Sequence, residues 1–353
     1  MPPFFIVDEM MDFTRLAEPS GLIYGSVARE AVRAGHALPL AGGPAAFTLV
    51  DLIDGYTRSG FMPVSSVPAG WQPQLERISR APVSDVVSLN KQVMGIVNLT
   101  PDSFSSDGHA GNAEHAVAAS RQSVEQGARI LDIGGESTRP GSAVITPREE
   151  WQRIGETVSA LREHLPDTIL SVDTRHSFVM EQALEAGVHI INDISALDDP
   201  DALPLLAQHT CGVVLMHMRG TPQTMGAYTD YQDIGYDTVR ELGERLKYAV
   251  EGGIKPGRII IDPGFGFAKT TEQNMQLLAR VALFTNLGCP ILVGVSRKRM
   301  IGTVTGVTSA AQRDAGTHTA SLAGLTAGGC IARVHDVAGM MQSLNTWQAL
   351  QNF

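Results

Sequence analysis

From Gln92 onward the chain alternates short apolar, β-branched runs with stretches of helical periodicity, and the alternation repeats eight times. The runs cover residues 93–99, 129–135, 168–173, 189–194, 213–218, 258–262, 290–295 and 330–334. A helical period predicts helices over 113–126, 147–163, 177–185, 234–251, 271–284, 309–327 and 338–351. Strands joined through helices run parallel, and eight such units close into a (β/α)8 TIM barrel. Segments such as ILVGV and RIIID are apolar throughout instead of alternating, as expected of strands covered on both faces.

Each run stops at polar residues. In order these are Asn98; Glu136 with Thr138 and Arg139; Asp173; Asn192 with Asp193; His217; Asp262; Ser296 with Lys298; and His335 with Asp336. Active sites of this barrel lie at the carboxyl ends of its strands, so the set reads as a polar ring facing one small ligand. Asp173 or Asn192 taken singly reads equally well as a helix cap or turn residue. Caps do not account for Lys298, His217, Arg333 and His335. Arg297, Lys298 and Arg299 follow the seventh run, and Arg333 with His335 ends the eighth, the usual phosphate station of this fold. Basic residues oppose the dipole at a helix start, so a bound anion explains them better than a solvated face does. Two connections are long: TPDSFSSDGHAGN at 100–112 and ESTRPGSAVIT at 136–146, each a candidate lid.

Residues 1–88 lie outside the barrel pattern, which occupies 89–353. Within this extension 26–34 looks helical, 38–44 reads as a turn region, 46–56 is apolar and 64–73 is rich in Pro and Ser. It holds no phosphate loop and no metal-ligand cluster, and a role in packing or dimerisation is the expectation. A net charge of −10 argues against a nucleic-acid partner. No apolar run approaches the ~20 residues needed to cross a bilayer, and the start lacks a basic leader, so a soluble cytoplasmic enzyme is expected. Cys211, Cys289 and Cys330 have no metal-binding spacing and sit in or beside predicted strands, as reduced core residues would.

At these residues the chain resembles the dihydropteroate synthase family, over roughly 92–350. The resemblance is carried, in order, by MGIVNLTPDSF (94–104), DIGGESTRPGS (132–142), SVDTR (171–175), INDIS (191–195), LMHMRGTPQTM (215–225), IIDPGFGF (260–267), GVSRKRMIG (294–302), AGTHTAS (315–321) and RVHDV (333–337). It implies a transferase of folate biosynthesis, a sulfonamide target, that joins 6-hydroxymethyl-7,8-dihydropterin pyrophosphate to para-aminobenzoate and releases pyrophosphate. It assigns the pterin to Asp262, Asp173, Asn192 and Lys298 between Met216 and Phe267. Para-aminobenzoate falls to Thr138, Arg139, Pro140, Phe267 and Arg299, and pyrophosphate to Asn98, Thr138, Arg333 and His335. Asp102, Arg139 and Lys298 become the catalytic residues, and Mg²⁺ is expected near Asn98. A homodimer is also implied.

The chain departs from the family pattern at three places. Its first loop is one residue longer and lacks a second glycine, Ala268 stands where glycine is usual, and Arg299 stands where many members have serine. Rival readings are a pterin-binding methyltransferase, which has no need of the STRPG segment or the SRK anion site, and a non-catalytic pterin-binding paralogue, which should have lost Asn98, Arg333 and His335. An unrelated phosphate-binding barrel shares the fold but not the ordered motifs.

Overall fold

The structure, a computed structural model, describes residues 11–99, 109–137 and 144–351. Eight parallel strands form the barrel: β5 (Gln92–Asn98), β6 (Ile130–Gly134), β7 (Ile169–Asp173), β8 (Ile190–Asp193), β9 (Gly212–Met216), β10 (Ile259–Asp262), β11 (Leu292–Val293) and β12 (Ile331–Val334). Their spatial order is β10-β9-β8-β7-β6-β5-β12-β11. A parallel bridge between Ile261 and Ile291, with the Ile261 N–H donating to the Pro290 carbonyl at 2.9 Å, closes the ring. Helices α3 (His109–Glu125), α4 (Pro147–His164), α5 (Ser177–Glu185), α6 (Ala202–Ala207), α7 (Ile234–Glu251), α8 (Thr271–Ala279), α9 (Arg299–Thr305), α10 (Asp314–Thr326) and α11 (Val337–Leu350) alternate with the strands. Among the described residues no helix is long and apolar enough to cross a membrane.

Local chemistry sets several helix starts. Thr146 and Glu149 form a capping box ahead of α4, with Pro147 at its first position. Thr270 and Gln273 do the same for α8, and the Asp233 and Asp336 carboxylates cap α7 and α11. Two predicted helices are shorter than their periodicity suggested. The one expected over 271–284 ends at Ala279 and passes into 3₁₀ geometry at Val281–Leu287; the one expected from 309 begins at Asp314. The predicted run at 290–295 pairs as a strand only at Leu292–Val293, beside the single-bridge seam.

Strand parity divides the barrel. Met94, Ile130, Ile190, Val214, Ile260, Leu292 and Ile331 form one fully buried cluster, with Val87 from the chain ahead of β5 packed on it. Counting on by twos from these positions toward the strand ends reaches Asn98, Asp132, Asn192, Met216, Asp262, Ser296, Arg333 and His335. Asp173 joins the same layer because it pairs in register with Asn192. The three cysteines are free and buried, and burial pushes the Cys289 thiol up to about 12.

The extension is a small antiparallel sheet docked on the flank of the barrel. β1 (Arg15–Ile23) and β4 (Thr57–Pro63) pair with opposite edges of β3 (Ala46–Asp54), and β2 (Leu38–Pro39) adds a short pairing. Helices α1 (Gly25–Arg33) and α2 (Gln72–Ser79) complete the unit. Phe13, Leu16 and Ile53 belong to the same apolar cluster as the barrel helices. Phe13 lies so close to Gly243 of α7 that a Cβ there would sit 2.3 Å from its ring, so glycine is needed at that contact. Charge completes the seam: Arg280, at the end of α8, pairs with Glu18 at 2.6 Å and with Asp233 at 2.6 Å, while Arg58 of β4 reaches Asp51 at 2.8 Å and Asp233 at 3.1 Å.

Candidate active site

The carboxyl ends of β6, β7, β8 and β12 meet in one ionic cluster. Arg333 on β12 donates from Nε to Asp132 Oδ2 at 2.6 Å and from Nη2 to Asp173 Oδ2 at 2.7 Å. Asn192 Nδ2 donates to the same Asp132 oxygen at 3.0 Å. Asp132 is fully buried. Burial raises the Asp173 carboxyl, Arg333 opposes that, and the neighbouring Asp132 adds to it. The two carboxylates hold the Arg333 guanidinium firmly charged against its burial. Asp132 is the site residue that strand-end reasoning missed. A signal was present all the same, since it is the one charge inside the apolar run ILDIG.

Opposite this cluster, Asp262 ends β10 with its Oδ1 accepting from the Gly264 N–H at 2.7 Å. Burial raises its carboxyl, and Lys298 draws it down again. The turn after it, PGFGFAK, adopts left-handed backbone at Gly264, Gly266 and Ala268, with φ of +69°, +82° and +50°. A Cβ at Gly264 would lie 1.8 Å from the His217 carbonyl oxygen, so only glycine fits there. Phe267 faces an apolar cluster of Ile194, Met216, Met225 and Ala268, with Met218 against it.

Lys298 spans the two halves. Its Nζ lies 4.7 Å from the Phe267 ring centroid and donates to the Phe265 carbonyl. Burial pushes its ammonium down to about 8, with Asp262 and Asp173 holding it up and Arg333 opposing them. Arg297 adopts φ +56° and turns outward, where Asp314 holds it through two bonds of 2.7 Å. Arg299 is exposed at the first position of α9. The three cations expected to form one anion cluster therefore point to three different places: Arg297 to an ion pair, Lys298 into the mouth and Arg299 to solvent.

A third group joins β5, β11 and β12. His335 Nδ1 meets Ser296 Oγ at 2.8 Å, and its Nε2 lies 3.4 Å from Asn98 Nδ2.

Four members of the expected ring serve the scaffold. Asp193 is fully buried and accepts from Ser195 and Leu197, as a turn residue does. Glu136 takes two bonds from Arg175, and Asp336 caps α11. His217 lies one residue beyond inward-facing Met216, so its ring turns outward to Glu241 and Lys269. Asp102, Thr138, Arg139 and Pro140 lie outside the described residues. Asn98, Asp173, Asn192, Met216, Asp262, Phe267, Lys298, Arg333 and His335 converge at the mouth.

Comparison with known proteins agrees with this geometry. The family model for pterin binding enzymes matches residues 94–335, a range that leaves out the N-terminal sheet. A dihydropteroate synthase of Neisseria meningitidis serogroup C is 45% identical over 269 residues, 75% of this chain and 94% of that protein. That of Escherichia coli K12 is 39% identical over 257 residues, 73% of this chain and 90% of that one. Among solved structures, the Xanthomonas albilineans dihydropteroate synthase with 4-aminobenzoic acid superposes with a TM-score of 0.72 at 42% identity, covering 77% of this chain and 99% of that one. The same enzyme in complex with 7,8-dihydropteroate gives 0.70 at 41% identity, over 77% and 100%. The chain belongs to the pterin binding enzyme family and, within it, to the dihydropteroate synthases.

Proposed function

We propose that this chain condenses 6-hydroxymethyl-7,8-dihydropterin pyrophosphate with para-aminobenzoate to give 7,8-dihydropteroate and pyrophosphate. The observation that carries the reading is the set of buried Asp262 and Asn192 with half-buried Asp173 and Lys298 beside an apolar wall of Met216 and Phe267, in a chain 41–42% identical to an enzyme whose structures hold 4-aminobenzoic acid and 7,8-dihydropteroate.

Each residue type suits its part. A pterin presents an amino group and a ring N–H side by side, and the Asp262 carboxylate can accept both bonds. Asn192 and Asp173 hold other edges, and the Lys298 ammonium donates to the ring. Arg333 and His335 face the departing pyrophosphate, with Asn98 beside His335. The arylamine is neutral at pH 7 and attacks the methylene through its own lone pair, so no strong general base is required. The electron-rich pterin shares the positive charge that develops as pyrophosphate leaves. In this reading Asp102 stabilises that charge, while Thr138, Arg139, Pro140 and Arg299 shape the para-aminobenzoate pocket.

Among the described residues no group of three His, Cys, Asp or Glu could hold a metal ion. A magnesium ion carried mainly by substrate phosphates and water needs few protein ligands, and the Asn98 amide oxygen fits that need. Bound there, it would supply charge neutralisation for the leaving pyrophosphate. A homodimer and a cytoplasmic location belong to the same reading, and light scattering tests the first.

The deciding experiment is pyrophosphate release by the purified protein given the dihydropterin pyrophosphate and Mg²⁺, with and without para-aminobenzoate. Release that depends on para-aminobenzoate and disappears in Lys298→Ala is expected. Pterin binding with no release refutes the assignment.

A further inference from the structure

Behind the pterin wall lies a buried chain of groups that the reaction itself does not use. Lys269 Nζ sits 2.9 Å from His217 Nδ1, 3.0 Å from the Gly264 carbonyl oxygen and 3.1 Å from that of Phe267. On its other side His217 Nε2 is 2.9 Å from Glu241 Oε2. Arg219 holds the same carboxylate, with Nε 2.9 Å from Oε2. Lys269 and His217 are both buried.

The protons in this chain can be placed by elimination. Burial alone would raise Glu241, yet Arg219 and His217 hold it down to about 2, so it is an acceptor at neutral pH. His217 Nε2 must then carry a hydrogen and donate to it. Burial and the neighbouring Lys269 charge push the imidazolium down to about 4, so the ring is neutral and Nδ1 is bare. A bare Nδ1 accepts, and Lys269 donates. With two carbonyl oxygens as its remaining partners, the ammonium uses all three hydrogens. Burial pushes Lys269 down to about 7, with Asp262 opposing it. Its three acceptors all favour the charged form, so we assign it as an ammonium, with Asp262 its main counter-charge and Glu241 a lesser one beyond the neutral imidazole.

What this ammonium grips is the turn at 264–268. Two of its bonds go to carbonyls of that turn, and the turn carries both Phe267 and the Phe265 carbonyl that accepts from Lys298. The backbone there is left-handed at three alternating positions, one of them the non-glycine Ala268. Such a conformation persists only where its surroundings impose it.

We infer that Lys269 is a positioning residue for the pterin pocket: through His217 and Glu241 it is fixed in place, and through the Gly264 and Phe267 carbonyls it fixes the wall and the anchor of Lys298. This rests on the functional reading above, so its test includes a readout that needs no substrate. In Lys269→Met, amide hydrogen exchange in a peptide covering 262–270 should accelerate about 10-fold or more, the scale of one lost charged hydrogen bond. The KM for the dihydropterin pyrophosphate should rise by a similar factor and by clearly more than the KM for para-aminobenzoate, which shares only Phe267 with this turn. His217→Leu should reproduce both effects, because it removes the acceptor and the link to Glu241. His217→Asn, whose amide oxygen can take the place of Nδ1, should recover most of the loss.

Unchanged exchange at 262–270 in Lys269→Met overturns the inference. So does an equal rise in both KM values, which would mark a general loss of fold, or equal behaviour of His217→Leu and His217→Asn. If the wild-type protein releases no pyrophosphate while Lys269→Met still accelerates exchange, the functional reading fails and the grip on the turn stands.

Discussion

Replacing Asn286 with alanine removes a side chain that acts as a stand-in strand. Asn286 lies in the 3₁₀ segment that leads to β11, and it is fully buried. Its Oδ1 accepts from the Ala17 N–H at 3.0 Å, and its Nδ2 donates to the Ala17 carbonyl at 2.8 Å and to the Leu283 carbonyl at 2.7 Å. Ala17 belongs to β1, which pairs with β3 on one side only; in the sheet it is an edge strand. One barrel side chain thus satisfies both outward groups of a buried edge residue. Alanine leaves the Ala17 N–H and carbonyl unpaired where water does not reach, while the Leu283 carbonyl keeps a backbone partner within the 3₁₀ segment. Each unpaired group costs about 1–3 kcal/mol, the carbonyl toward the low end because of its second lone pair, so about 2–4 kcal/mol in all. Against a typical stability of ~5–15 kcal/mol that is a large share, and it should lower the melting temperature by roughly 5–10 °C. Tyr56→Phe is the contrast, because its 2.7 Å bond to Asp237 crosses the same seam from a half-exposed hydroxyl and should cost about 1 kcal/mol or less. Calorimetry measures both, and trypsin digestion should cut Asn286→Ala first around Arg80 and Lys91, where the chain leaves the sheet for the barrel. Turnover of the folded variant should match wild type, since the Asn286 amide bonds Ala17 and Leu283 and its neighbour Thr285 lies against Gly328 ahead of β12, away from the strand ends that carry the site. A loss below about 1 kcal/mol, or a loss of turnover without loss of stability, would refute the reasoning.

The barrel was legible because parallel strands covered on both faces leave unbroken apolar runs, a signal that needs no partner to be read. The N-terminal sheet was not, for a physical reason visible in β1. Its RLAEPSGLI holds Glu, Pro, Ser and Gly, so neither alternation nor an apolar run marks it. Glu18 is buried there because Arg280 arrives from 262 residues away, and Ala17 because Asn286 does. Local pattern carries no record of such contacts.

The site shows the same boundary between local and distant information. Asn98, Asp173, Asn192, Asp262 and Lys298 were readable from where apolar runs stop. The two-residue period of a strand would also have removed two false members. Asn192 and Met216 face inward, so Asp193 and His217 must face outward, and both do. The grip of Lys269 on the turn was beyond reach, because its meaning depends on His217 from another strand and Glu241 from the middle of α7. The divergence of Arg297, Lys298 and Arg299 depends likewise on Asp314, which captures the first of the three.

Three further outcomes follow from single groups. Arg299→Ser should raise the KM for para-aminobenzoate about 3- to 5-fold, the worth of one exposed charge pairing, with the KM for the pterin unchanged; steady-state kinetics at two salt concentrations checks this, since the effect should shrink as salt rises. Lys298 must be charged to donate to the pterin and to face Asp262 and Asp173, and burial places its ammonium near 8 in place of the ordinary 10.5. A lysine is protonated below its pKa, so kcat/KM for the pterin substrate should be full at pH 7 and fall as pH rises through about 8. Lys298→Arg should move that limb upward, and a wild-type limb near 10.5 would mean that Lys298 is not desolvated. Ala268→Gly sets opposing terms against each other. Alanine at φ +50° carries ~1–2 kcal/mol of steric cost that glycine would relieve. Glycine would forfeit the burial of a methyl, about 0.8 kcal/mol, and would regain ~0.4–1 kcal/mol of unfolded-state entropy that alanine suppresses. The terms cancel to within about 1 kcal/mol, so the melting temperature should move by no more than roughly 3 °C in either direction. A rise of 10 °C in calorimetry would mean that the strain at Ala268 is far larger than its backbone angle implies and that Lys269 and the surrounding carbonyls hold the turn against it. No shift, with unchanged kinetics, would mean that this chain tolerates alanine in the turn because a buried methyl against Phe267 and Met216 offsets what the left-handed backbone costs.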